Sequence, residues 1–155
     1  MKILSAEQIR AWDQFTIQHE PVASIDLMER AAGKCVEWLE ENNFSGKQFS
    51  IFCGKGNNGG DGLAIARMLA KKKNKVIVHI LESSHKGTED FQINLTRLLP
   101  YPSVKIYFAQ AEENFLSFSP GEIIIDALYG SGLNRGLEGI TAKLVSHINN
   151  SGCEI

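Results

Sequence analysis

The run Gly54-Lys55-Gly56-Asn57-Asn58-Gly59-Gly60-Asp61-Gly62-Leu63-Ala64-Ile65-Ala66-Arg67 decides how this 155-residue chain folds. The apolar stretch 49–53 precedes it and a helical pattern follows, so the spacing predicts a strand, a glycine-rich turn and a helix from Gly62 to about Lys72. Glycines let a backbone approach a ligand closely, and the first N–H groups of a helix have no internal partner. The turn is thus suited to a phosphorylated ligand. Asp61 is out of place in a loop that only holds pyrophosphate, since like charges repel. It caps the helix, the commoner use of such a residue, or receives a ligand hydroxyl or a cation.

Around this run the chain alternates strand and helix. Strands are expected at 49–53, 76–81, 104–108 and 122–127, with helices after 62, from the Thr88 cap through Leu99, and around Leu137, Ile140, Leu144 and Ile148. A helical turn is expected over 112–118. Strands separated by helices imply a parallel sheet with helices on both faces, in the order 3-2-1-4-5. Two helices come first: one from the Ser5/Gln8 capping box to about His19, and one from a Ser24 cap to near Asn42. A plain dinucleotide-binding fold opens on its glycine-loop strand, so these helices are expected to cover a sheet edge or form a dimer interface. Gly152 closes the last helix, and 153–155 reads as the start of a fifth strand, which suggests a fragment or a strand supplied from elsewhere.

Composition narrows the class. With 43% apolar and 22% charged residues and a formal charge of −2, the chain suits one globular domain and offers no basic surface for nucleic acid. The densest basic cluster, Lys71 to Lys73 with Lys75, sits where a helix ends and complements its dipole. Cys35, Cys53 and Cys153 read as reduced core residues of a soluble, cytoplasmic protein without a membrane span. His19, His79, His85 and His147 show no metal-site spacing, and His79 reads as a packing residue.

A second chemical stretch runs from Asp126 through Ala127, Leu128, Tyr129, Gly130, Ser131, Gly132, Leu133, Asn134 and Arg135 to Gly136. Asp126 is expected at the carboxyl end of the fourth strand, facing the first glycine loop across the reversal point of the sheet. A strand-end aspartate either caps a turn or serves a ligand. Gly130, Gly132 and Gly136 permit close approach, Ser131 and Asn134 supply neutral donors, and Arg135 suits a phosphate. Carboxylates and amide oxygens converging on one crevice also suit a hard cation.

Taken together, the Gly-x-Gly-Asn-Asn-Gly-Gly-Asp-Gly run from Gly54 to Gly62, the helix reaching Arg67, Asp126-x-x-x-Gly130-x-Gly132, and Leu27-Met28-Glu29-x-Ala31-x-Gly33 resemble the NAD(P)H-hydrate epimerase family, or YjeF N-terminal domain. The resemblance spans nearly all of 1–155 and implies a Rossmann-like three-layer α/β/α sandwich that is homodimeric. It implies interconversion of R- and S-NAD(P)HX, the hydrated forms of NADH and NADPH, with a dehydratase domain as a possible fusion partner in the parent. Asn57, Asn58, Gly59, Gly60 and Asp61, with Gly130, Ser131, Gly132, Leu133, Asn134, Arg135 and Gly136, are then substrate contacts, and Asn58 and Asp126 ligate potassium. The family's later Asp-x-Pro-Ser-Gly motif does not occur by Ile155. The main acid/base is expected there, with Asp61 and the cation positioning the substrate. Two competing readings are an ordinary NAD(P)-dependent dehydrogenase, with Glu82 as its ribose-binding acid, and a non-catalytic binding scaffold.

Overall fold

The computed structural model describes residues 4–20, 22–82, 86–131, 133 and 136–155. The chain order is α1 (Ala6–His19), α2 (Ser24–Glu41), β1 (Gln48–Cys53), α3 (Asn57–Lys71), β2 (Lys75–Leu81), α4 (Glu89–Leu98), β3 (Lys105–Ala109), β4 (Ile123–Ala127) and α5 (Gly139–Asn149). A three-residue 3-10 turn, Glu112–Asn114, lies between β3 and β4, shorter than the expected 112–118. The sheet has the order β3-β2-β1-β4 and is parallel throughout. A parallel bridge between Ile123 and Glu154 adds the first contact of a fifth strand beyond β4, on the side expected.

Strand pleating sorts the core into two layers. Phe49, Ile51 and Cys53 point to one face of β1, where they meet Val78 and Ile80 of β2, Leu63, Ala66 and Leu69 of α3, and Ala32, Val36 and Leu39 of α2. Phe52 points to the other face and packs with Ile124, Leu128, and Leu144 and Ile148 of α5. Burying each large apolar side chain contributes roughly 1.5–3 kcal/mol, which is why the almost wholly buried β1 is the centre of the molecule. The second layer also holds polar groups. Burial pushes His79 down to about 4, so the ring is neutral, and it stacks on Phe52 with centroids 4.4 Å apart. The buried Glu122 carboxylate accepts hydrogen bonds from Gln48 Nε2 at 2.9 Å, Ser119 N at 2.8 Å and the Ser50 hydroxyl. Such a charge is tolerated in a core only when it is so satisfied.

Four local expectations need correcting. Ala23, not Ser24, is the N-cap of α2; the Ser24 hydroxyl instead donates to Asp90 Oδ2 at 2.7 Å, tying α2 to α4. The helix after the glycine loop starts at Asn57 rather than Gly62, because two asparagines and two glycines adopt helical geometry despite their weak propensity. Cys35 lies on the exposed side of α2, whereas Cys53 is buried as expected. Neither leading helix covers a sheet edge: α2 packs beside α3 in the main core, and α1 buries none of its residues. The Ser5/Gln8 capping box and the Thr88 cap form as read, with Ser5 Oγ accepting from Gln8 N at 3.2 Å and Thr88 Oγ1 from Phe91 N at 3.4 Å.

A matched pair of substitutions tests this packing. A Cβ at Gly59 would lie 1.7 Å from the Gly54 carbonyl oxygen, so Gly59→Ala should lower unfolding free energy by about 2–3 kcal/mol or more in urea denaturation. At Gly33, inside α2, a Cβ meets nothing within 4 Å, and Gly33→Ala should raise stability by about 0.5–1 kcal/mol.

Candidate active site

The carboxyl ends of β1 and β4 form the centre of the site. Gly54 N donates to Ala127 O at 3.0 Å, and a Cβ on Gly54 would fall 2.0 Å from the Leu128 carbonyl oxygen. Only glycine lets the two chain segments touch here. The same constraint holds the helix down: a Cβ at Gly62 would lie 2.7 Å from Ala127 Cβ and 2.8 Å from Cys53 Sγ. At Gly60 it would meet Met28 Sδ at 2.9 Å. The first turn of α3 therefore sits lower on the sheet than any residue with a side chain would permit.

Gly56 is the N-cap of α3 and offers no capping side chain, and Gly60 N is the first N–H in the loop to bond back, to Gly56 O at 3.1 Å. Asn57, exposed, and Asn58, half-buried, open the helix, where the first N–H groups have no partner within the helix and suit an anion. Of the uses open to Asp61, the cap is excluded, since Gly56 holds that position. Asp61 lies in the second turn, where burial first, then the charges of Asp90 and Asp13, push its carboxyl up to about 6. A carboxyl near neutrality holds and releases a proton at physiological pH.

Asp126 stands at the end of β4, paired in register with Phe52, and its Oδ1 accepts from Leu128 N at 2.9 Å. The carboxylate is exposed, so the turn bond leaves an oxygen open to solvent or a ligand. The second loop comes within reach of the first at one point: a Cβ on Gly130 would lie 3.3 Å from Asn58 Cβ and 3.7 Å from Asn58 Oδ1. Ser131, Leu133 and Gly136 are exposed. Leu133 N donates to Gly130 O at 3.3 Å and closes the turn. Gly132, Asn134 and Arg135 lie outside the described residues.

One pair was not legible as a unit in the sequence. Lys55, inside the glycine run, forms an ion pair with Glu82 at the end of β2, with side chains 12% and 24% exposed. The loop before α4 closes over it: Thr88 N donates to Lys55 O at 2.9 Å, and a Cβ at Gly87 would meet that oxygen at 2.7 Å. The signal was a basic residue beside the glycines and an acid ending the adjacent strand. Glu82 is thereby engaged, which counts against the ribose-binding role it would have in a dehydrogenase. Farther back, Arg67 Nη2 lies 2.5 Å from both carboxylate oxygens of Glu29, joining α3 to α2.

Comparison with known proteins agrees with this geometry. A family model described as the YjeF-related protein N-terminus matches residues 24–155. The NAD(P)H-hydrate epimerase of Oenococcus oeni is 37% identical over 153 residues, covering 98% of this chain and 70% of that protein. The bifunctional NAD(P)H-hydrate repair enzyme Nnr of Dictyoglomus turgidum is 28% identical over 158 residues, covering 100% of this chain and 30% of its own length. In fold, the crystal structure of yeast ynu0 superposes with a TM-score of 0.75 at 18% identity, covering 99% of this chain and 68% of that one. Because the matched residues include both glycine loops and the strands that carry them, the chain belongs to the YjeF-related N-terminal family, whose members include NAD(P)H-hydrate epimerases.

Proposed function

We propose that this chain epimerises R- and S-NAD(P)HX, as its relatives' names indicate for them, in repair of hydrated nicotinamide nucleotides. The observation that carries the reading is the meeting of the two loops at Asn58 and Gly130, four residues beyond Asp126, with a near-neutral Asp61 one turn along α3 from Asn58. The anionic bridge of the substrate suits the free N–H groups at the start of α3, and the neighbouring side chains then face its reduced ring.

Chemically, the hydroxyl-bearing carbon adjoins the ring nitrogen. The nitrogen lone pair forms a C=N bond as the C–O bond breaks, and the departing oxygen takes a proton and leaves as water. Water then adds to either face of the cationic ring and loses a proton, so the net change is inversion at one carbon. Asp61 is a proton donor and acceptor of suitable strength on this chain. Asp126 would hold the cation and is suited to positioning. The main acid/base expected from the Asp-x-Pro-Ser-Gly motif would share the proton traffic where the parent protein supplies it.

The donor set also fits a monovalent cation. Asn58 and Asp126 present an amide and a single carboxylate, all oxygen chemistry with one negative charge. Potassium held there would supply fixed positive charge near the substrate's phosphates. Among the described residues no cluster of three acidic, histidine or cysteine groups offers a divalent-metal cage. The assembly is proposed to be a homodimer, supported by α1, on which Ile9, Trp12 and Phe15 are 47%, 58% and 58% exposed. The setting is proposed to be cytoplasmic; no helix among the described residues is long and apolar enough to cross a membrane.

Two measurements test these roles. Epimerisation of R-NADPHX should be faster in potassium than in sodium, and potassium should raise the melting temperature of the wild type but not of Asp126→Ala. An equal melting shift in both proteins would remove Asp126 from the cation site. For Asp61 the folded value of about 6 stands above the ordinary 3.8, so the folded state holds the proton longer than the unfolded chain. Its favourable contribution is complete below about pH 4 and is lost as pH rises through about 6. Relative to the wild type, Asp61→Asn should therefore gain about 1–2 kcal/mol between pH 4 and 7, after allowance for solvent screening, while losing at least tenfold in epimerisation rate.

A further inference from the structure

We infer that the adenosine half of the substrate sits on the β4 side of the crevice, on the Tyr129 ring with Glu138 receiving its ribose hydroxyls, and that this seat favours NADHX over NADPHX. The inference rests on the epimerase reading, because it gives a place to one half of that substrate.

A dinucleotide whose phosphates lie at the start of α3 has two ways out. In the usual doubly wound fold its adenosine crosses from β1 to β2, where an acid ending β2 binds the ribose. Here that exit is filled. Lys55 and Glu82 occupy it as a largely buried pair, Thr88 donates to the Lys55 carbonyl, and Gly87 packs against the same residue with no room for a side chain. Admitting a ribose would require breaking the pair and lifting the loop.

The other way leads past Gly130, which touches Asn58, into a hollow of about 330 Å³ lined by Tyr129, Leu133, Gly136, Leu137, Glu138 and Thr141. That volume is at the low end for small-molecule sites and suits a nucleoside better than a whole dinucleotide. The Tyr129 hydroxyl lies 3.3 Å from Thr141 Oγ1, so the ring is held against α5, yet it remains 43% exposed. Leu133 is also 43% exposed, and the two present apolar surface to one hollow. A flat base stacking on the tyrosine would cover it. Glu138 is the N-cap residue of α5, but its side chain caps nothing and has no ion-pair partner among the described residues. A free carboxylate there accepts hydrogen bonds from a ribose diol and repels a 2′-phosphate, which is the difference between the two substrates.

Calorimetric titration of the chain with 5′-AMP and with its 2′-phosphorylated counterpart, 2′,5′-ADP, tests the seat without requiring turnover. AMP should bind at least about fivefold more tightly than 2′,5′-ADP, through charge repulsion at Glu138. Tyr129→Ala should weaken AMP about tenfold or more, while Tyr129→Phe retains stacking and most of the affinity. Glu138→Gln, an exposed change that leaves the core untouched, should remove the preference by strengthening the 2′-phosphorylated probe. Tighter binding of 2′,5′-ADP by the wild type, no AMP binding, or AMP affinity indifferent to Tyr129→Ala would overturn the inference. NADHX epimerisation, measured alongside in a chain extended through the Asp-x-Pro-Ser-Gly motif, separates the two readings: turnover without an AMP seat sinks only the inference, and an AMP seat without turnover sinks the epimerase function and leaves a nucleotide-binding domain.

Discussion

The site depends on one backbone contact, the approach of Gly54 to Leu128 and of Gly59 to Gly54. These atoms are closer than any Cβ would allow, and the approach draws the ends of β1 and β4 and the start of α3 into one small volume. Everything chemical about the molecule follows from that proximity. The start of α3 with Asn58 and the strand end that carries Asp126 are drawn together because the main chain beneath them has no side chains in the way. Such packing favours a fixed site over an adaptable one, since interiors this dense shift between discrete arrangements rather than deform.

Much of the fold was legible beforehand because its signals are periodic. Alternation of β-branched runs with amphipathic helices gave the parallel sheet, and the position of the glycine run gave the crossing point. The misreadings share a physical cause. Asn57 and Asn58 look like turn residues, and they are helical only because α3 is pinned to the sheet by contacts distant in sequence. Of the uses open to Asp61 the cap falls away for the same reason, because with the helix starting five residues earlier it is a half-buried carboxyl of the second turn, raised by the charges of two other acids. Ser24 is a good cap by type, but Asp90, 66 residues away, competes for its hydroxyl. Lys55 and Glu82 were each visible at the end of a strand, but their pairing depends on two strands being neighbours in the sheet, which neither residue signals locally.

The two faces of the sheet are not equivalent. One is covered by α2, α3 and α4 and holds the larger apolar cluster. The other carries α5, a neutral histidine stacked between Phe52 and Tyr107, and a carboxylate whose partners are all uncharged. The segment from β3 to β4 supplies Phe115 and Phe118 to that second layer in place of a regular helix. Polar groups buried there are expensive, so the layer holds together through a connected set of hydrogen bonds and ring contacts rather than through apolar area alone.

The hydrogen bond from Gln48 to Glu122 joins residues 74 apart in the chain, and the whole β1–β4 seam has that character. The β1-α3-β2 unit closes over a short stretch, whereas the second wall of the crevice must arrive from far along the sequence. Loop-closure entropy makes such a pairing slow to form and favours forming local units first. Binding competence is then acquired late in folding, when β4 docks. A ligand that spanned the seam would bind only the finished structure, and by mass action would hold the fold closed against local opening.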